Sequence, residues 1–188
     1  MLDGQHVRLR AIEREDLPRL HELMDDDLEL ITRSSDSPPR PVSLAELEQR
    51  FDERLEEPDG TSMRFAIEVD DELIGDCGLH FIDHYRRSCH LGIALGREYW
   101  AKGLGQDAVR TLVDFAFRDL NMRKIGLEVL ADDDRAVGAY RRAGFVEEGR
   151  LRAHSWFQGS FHDALVMGIL REEWREGREG GSPVTDSR

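Results

Sequence analysis

The reading of this chain turns on residues 91–117, LGIALGREYWAKGLGQDAVRTLVDFAF. Leu91-Gly92-Ile93-Ala94-Leu95 is apolar, breaks at Gly96, and leads into the turn Trp100-Ala101-Lys102-Gly103-Leu104-Gly105. Beyond the turn, Leu104, Ala108, Leu112, Phe115 and Ala116 recur at helical spacing, with Arg110, Asp114 and Arg118 toward the other side. Strand, glycine turn and helix in succession aim free backbone N–H groups and the positive end of a helix dipole at one point, an arrangement suited to phosphate.

Working outward, residues 6–12 alternate apolar Val7, Leu9 and Ala11 with polar neighbours and predict a half-buried strand. Residues 13–24 carry Leu17, Leu20, Leu23 and Met24 at helical spacing, with Asp16 as N-cap and Pro18 in the first turn. Prolines make residues 34–41 a loop. Ser43 and Glu46 then form a capping box for a helix with the stripe Leu44, Leu47, Phe51 and Leu55, stopped by Pro58-Asp59-Gly60. From Met63 the period changes to two. Residues 63–69 and 73–82 make a hairpin about Asp70-Asp71, and residues 88–95 return after the polar turn 83–87.

Downstream of the glycine turn, residues 124–130 predict a strand. Asp132-Asp133-Asp134 caps a helix over residues 135–143 that buries Ala136, Val137 and Tyr140, and Gly144 ends it. Residues 145–151 and 164–170 are the last strands, joined through Gln158-Gly159. The expected class is α/β (α+β): a mixed, mostly antiparallel sheet of about seven strands with about four flanking helices. Residues 1–172 form one domain in this reading, and the charged residues 173–188 a disordered tail.

Composition narrows the function. The formal charge is -13, from 26 basic and 39 acidic residues, which disfavours nucleic acid and favours cationic partners. Two cysteines, Cys77 and Cys89, make no disulfide framework, and neither a signal core nor a stretch of transmembrane length is present. A cytoplasmic protein without membrane contact is expected. Gly103-x-Gly105 is weak evidence by itself. A dinucleotide site needs G-x-G-x-x-G near the first strand, whereas this turn comes late and Ala108 holds the third glycine position. The Gly-Lys-Ser/Thr ending of a P-loop is absent.

Trp100 to Phe117 resembles the acyl-CoA-binding motif of the GCN5-related N-acetyltransferases (GNAT), Gln/Arg-x-x-Gly-x-Gly/Ala opening a helix. Asp133, Ala136, Tyr140, Gly144 and Phe145 resemble that family's later segment, Asn-x-x-Ala-x-x-x-Tyr-x-x-x-Gly-Phe. The opening VRLRAIEREDLPRLHEL and the closing Gly149-Arg150-Leu151 and Asp163-Ala164 look most like the branch of ribosomal-protein N-terminal and diamine acetyltransferases. Trp100 departs from the family's Gln or Arg, and Asp133 from its Asn; a carboxylate cannot donate as an amide can.

The resemblance implies the acyl-CoA N-acyltransferase fold, acetyl-CoA as co-substrate, no metal, and direct attack of a primary amine on the thioester. Backbone N–H groups from Lys102, Gly103, Leu104, Gly105 and Gln106 would surround the pyrophosphate. The backbone of Ile93, Ala94 and Leu95 would pair with the pantetheine arm on a strand that splays from its neighbour, and Asp133 would border the cofactor or cap its helix. Tyr140 matches the family's general acid. His90 lies where relatives often carry Glu and is the candidate base, since a histidine ordinarily titrates near pH 6.5; a water relay is the alternative. His80, His84 and His90 read poorly as a metal cluster, and Cys89 lacks a nucleophile's companions.

The expected acceptor is a peptide or protein N-terminus, with a polyamine or aminoglycoside-type amine as alternative, and a non-catalytic CoA-binding module as the rival class. Asp25, Asp26, Asp27, Glu29 and Asp36 would draw in a cation, and Trp156 and Phe157 would wall the acceptor pocket or form a homodimer contact.

Overall fold

The computed structural model describes residues 1–25, 40–56 and 60–179. Short strands β1 (Leu2–Asp3) and β2 (Arg8–Arg10) precede a 3-10 turn, Arg14–Asp16, that runs into α1 (Leu17–Leu20) and a π-helical turn, His21–Asp25. Helix α2 (Leu44–Glu56) leads to β3 (Met63–Val69), β4 (Glu72–Asp83) and β5 (Ser88–Leu95). Then come α3 (Leu104–Arg118), β6 (Lys124–Leu130), α4 (Asp134–Arg142), β7 (Val146–Phe157), β8 (Ser160–Leu170) and α5 (Arg171–Glu179). The eight strands form one open sheet in the order β1-β2-β3-β4-β5-β6-β8-β7. Every pairing is antiparallel except β5 with β6.

The expected class holds, with one strand and one helix more than the periodicities show. Leu2–Asp3 is too short to carry a period, and it forms because Leu2 and Asp3 pair with Leu9 and Arg8. The extra helix, Arg171–Glu179, takes in the start of residues 173–188, the segment expected to be a disordered tail. The Arg171 guanidinium donates to the carbonyls of Met122 (2.8 Å) and Phe117 (2.5 Å), and the Trp174 indole N–H donates to Asp114 Oδ1 at 2.5 Å. The Trp174 ring lies 5.5 Å from Phe117. One aromatic and one bidentate arginine dock a segment whose composition is otherwise charged. Residues 180–188 lie outside the described residues, as do residues 26–39 and 57–59 and the side chains of Asp25 and Phe157, where the acidic loop and one of the pocket-wall residues were expected.

Asp16 holds the N-cap position of α1, as expected, but its side chain makes no capping bond to that helix. It serves the preceding 3-10 turn, whose cap is Glu13, and closes that box from N3 by accepting the Glu13 N–H at 2.8 Å. Its carboxylate also takes a fork from Arg10 at 2.6 and 2.9 Å, which holds it below the usual carboxylate range despite burial. Strands β7 and β8 run longer than expected, to a turn at Gln158 and Gly159 with φ of 47° and 81°. Polar residues there hid the alternation.

The two faces of the sheet differ. Leu9, Ile67, Cys77, Leu79, Cys89, Leu91, Ile125, Leu127 and Met167 pack beneath α3 and α4 in the main core with Leu112, Ala116 and Tyr140. A smaller cluster, Leu17, Leu20, Leu47, Ala66 and Leu73, fixes α1 and α2 on the opposite face. Both cysteines are free and buried, and burial pushes the Cys89 thiol up to about 12, so neither supplies a thiolate.

Candidate active site

The site begins where the parallel pair ends. Strands β5 and β6 pair only through Ser88, Cys89 and His90, opposite Lys124, Ile125 and Gly126. Beyond that point β5 stays paired with β4 as far as Leu95, and β6 with β8 as far as Leu130. The facing edges of Leu91–Leu95 and of Leu127–Leu130 therefore diverge without a ladder between them. Backbone donors and acceptors inside a sheet are rarely left unpaired, so this wedge offers an open edge to a ligand with hydrogen-bonding groups of its own.

At the open end of the wedge stands the N-terminus of α3. Its cap is Gly103, at φ 82° and ψ -10°, with no side chain to cap anything. The first helical bond runs from Asp107 N–H to the Gly103 carbonyl at 3.0 Å, so the N–H groups of Leu104, Gly105 and Gln106 have no intrahelical acceptor. A Cβ built at Gly105 would come within 3.2 Å of Leu95 Cδ1, so glycine there lets the helix start lie directly on β5. Lys102 places its ammonium 5.4 Å from the centre of the Tyr99 ring. The Gln106 side chain reaches the C-terminal end of α4, where its amide donates to the Arg142 carbonyl at 3.4 Å.

Trp100 has a task that its departure from the motif concealed. Its indole N–H donates to the Leu95 carbonyl at 2.8 Å and closes the last open acceptor of β5. The Arg135 guanidinium lies 4.0 Å from its ring centre, and Arg97 stands at 5.3 Å. Arg135 is also paired with Asp133. One tryptophan thus ties the glycine turn to the strand before it and to α4. Two arginines around a late aromatic were the available signal. Of the three β5 residues expected to offer their backbone, Ile93 keeps that edge open, Ala94 is paired with Asp76 of β4, and the Leu95 carbonyl is already engaged.

Asp133 is the N-cap of α4, accepting the Ala136 N–H at 2.9 Å. Its carboxylate serves the helix and Arg135. Tyr140, two turns further on, is buried against Phe145 with ring centres 5.9 Å apart. Burial pushes its hydroxyl up to about 12, and no hydrogen bond holds that hydroxyl among the described residues. A phenol in that state is fully protonated at neutral pH and has its proton to give.

His90 occupies the vertex of the wedge, exposed, with Phe81 edge-on at 5.6 Å. It shares its sheet face with Asp76, Gly78, His80, Gly92, Ala94, Gly126 and Glu128, as the registers require. Tyr140 belongs to the core on the other face, so the two candidate proton carriers approach the wedge from opposite sides. Across it, Glu128 meets His154 at 3.4 Å and Asp132 meets His162 at 2.7 Å. Trp156 and Phe161 stack edge-on at 4.9 Å at the exposed end of the β7–β8 hairpin. No group of three metal-ligating side chains converges among the described residues, and no helix among them is long and apolar enough to cross a membrane.

The sequence matches the family described as Acetyltransferase (GNAT) domain over residues 6–146. The chain belongs to the GNAT acetyltransferases. This acetyltransferase is 30% identical over 174 residues to the spermidine N(1)-acetyltransferase of Escherichia coli (strain K12), covering 93% of this chain and 91% of that one. It is 25% identical over 173 residues to a putative ribosomal N-acetyltransferase of Bacillus subtilis (strain 168), covering 91% and 94%. Among solved structures, spermidine N-acetyltransferase from Vibrio cholerae in complex with CoA and spermine superimposes with a TM-score of 0.82 at 30% identity, over 92% of this chain and 99% of that one. The chain is an acetyl-CoA-dependent N-acetyltransferase.

Proposed function

We propose that this acetyltransferase acetylates a small polycationic amine of the spermidine class. The observation that carries the reading is identity of 30% or more, across more than nine-tenths of this chain, with spermidine acetyltransferases of two organisms. The charge of -13 agrees with a cationic acceptor. The peptide N-terminus, the first acceptor expected from the sequence, takes second place, because the relative that bears on it is only 25% identical.

The N–H groups of Lys102 to Gln106 hold the pyrophosphate in this reading, and the open edge at Ile93 pairs with the pantetheine amides. Acetyl-CoA supplies an activated acyl thioester. His90, at the vertex, is on the path by which the incoming ammonium loses its proton, so that a neutral amine attacks the carbonyl carbon. Tyr140 gives its proton to the sulfur as the carbon–sulfur bond breaks; the phenolate is then reprotonated from solvent. Asp133 keeps α4, and with it Tyr140, in place.

The test is thiol release from acetyl-CoA by the purified protein with spermidine, spermine and peptides bearing free N-termini. A higher kcat/KM for the polyamines than for every peptide is expected. Equal or inverted ranking overturns the polyamine reading, and turnover with no amine overturns the catalytic one.

A further inference from the structure

His80 is opposite His90 in the β4–β5 ladder, so the two imidazoles rise from adjacent strands on the same face. Around them the sheet carries no side-chain bulk at Gly78, Gly92 and Gly126, which belong to the same face. Both rings lean into the gaps this leaves. A Cβ built at Gly92 would stand 3.3 Å from His80 Nε2, and one built at Gly126 would stand 3.5 Å from His90 Nε2. His80 thus reaches over β5 just beyond the vertex, beside the open edge at Ile93, while His90 reaches across the vertex to β6. The two rings bracket the point at which the wedge opens.

We infer that the base of this acetyltransferase is the His80–His90 pair, with His80 taking the proton of the acceptor ammonium and His90 passing it to solvent. The transfer balances without a further reactant: the ammonium loses one proton, each imidazole gains and releases one in turn, and the amine lone pair is left free for the carbonyl. His90 is exposed and His80 half-buried, which fits an outer and an inner station. Burial first, then Arg64, His90 and Arg54, lower the His80 pKa, against the opposing pull of Asp76. The inner imidazole is therefore neutral, and able to accept, over a wider pH range than an ordinary histidine. Asp76 is held by Arg64, with the guanidinium Nε at 3.0 Å, so it does not compete for the proton. The pairing rests on the reading of His90 as a base and not on which amine is the substrate.

Two experiments test it. Imidazole C–H resonances followed through a pH titration should show two interacting histidines, and His80→Gln should shift the titration of His90 while leaving CoA affinity unchanged. pH–rate profiles with the best amine acceptor should keep an ascending limb in both single variants. In His90→Gln that limb should lie on the acid side of the ordinary histidine range, because the neutral form of His80 is the active one. The double variant His80→Gln/His90→Gln should lose the limb near neutrality and most of kcat. The proposal is overturned if His80→Gln leaves both the His90 titration and the limb where they were, or if the double variant behaves as His90→Gln alone. Since the titration is read without substrate, rejection of spermidine as acceptor leaves this test intact.

Discussion

Helices α3 and α4 both follow parallel strands of the wedge, and both point their N-termini at its open end, yet they are finished in opposite ways. Helix α3 starts at Gly103, without a side chain, and leaves its first N–H groups bare. Helix α4 starts at Asp133, whose carboxylate accepts the Ala136 N–H at 2.9 Å and pairs with Arg135. The dipoles are alike, but one end is left for an anion and the other has its own. In the proposed reading the difference separates binding from chemistry: the open helix holds the co-substrate, and the closed one is a rigid mount for Tyr140.

The largest expected effect falls on the mount. Tyr140→Phe should lower kcat about 100-fold, the ordinary share of a positioned acid, with CoA affinity unchanged. A drop in CoA affinity with kcat intact would reverse the roles assigned to the two helices. Because burial pushes this hydroxyl up to about 12, the wild-type rate should show no descending limb at pH about 8 to 10, where an ordinary tyrosine begins to titrate. The protonated form is the active one, so activity would fall only as pH approaches the raised value. A descending limb in that range, abolished in Tyr140→Phe, would contradict the buried environment.

Next comes an exchange of finish. Gly103→Asp gives α3 the anion that α4 already has, and it should raise the CoA dissociation constant about 30-fold, equivalent to about 2 kcal/mol at a helix terminus. The loss should shrink at high salt, as a charge effect must. Isothermal titration with CoA reads it. The converse change is smaller. Asp133→Ala should lower Tm by about 2–4 °C, the effect of a lost N-cap in a chain of this size. Calorimetry reads the stability, and CoA affinity should not move; a weakened CoA complex would return Asp133 to the cofactor's side.

Some of this was legible in one dimension because local chemistry encodes it. Glycine at 103 and 105, the helical period from Leu104, and the Asp133-to-Phe145 spacing are short-range facts, and each keeps its meaning in the fold. The C-terminal helix was not legible, since Trp174 and Arg171 are single residues whose partners, Asp114, Phe117 and Met122, lie more than 45 positions away. The task of Trp100 was hidden because its motif position suggests a lost side chain, while its indole and ring meet Leu95 and Arg135. Asp16 reads as a cap from its position before Leu17 and Pro18 and holds that position, but its side chain bonds Arg10 and Glu13 rather than the helix.

The sequence by itself determined the strands, the helix starts, the family and the co-substrate, because periodicity and glycine turns act over a few residues. Only the tertiary structure decided where β5 leaves β6, that His80 faces His90, and that two helix ends of equal dipole have unequal tasks. Those depend on strand register, which joins residues far apart in the chain and is set by the packing of whole faces rather than by neighbours.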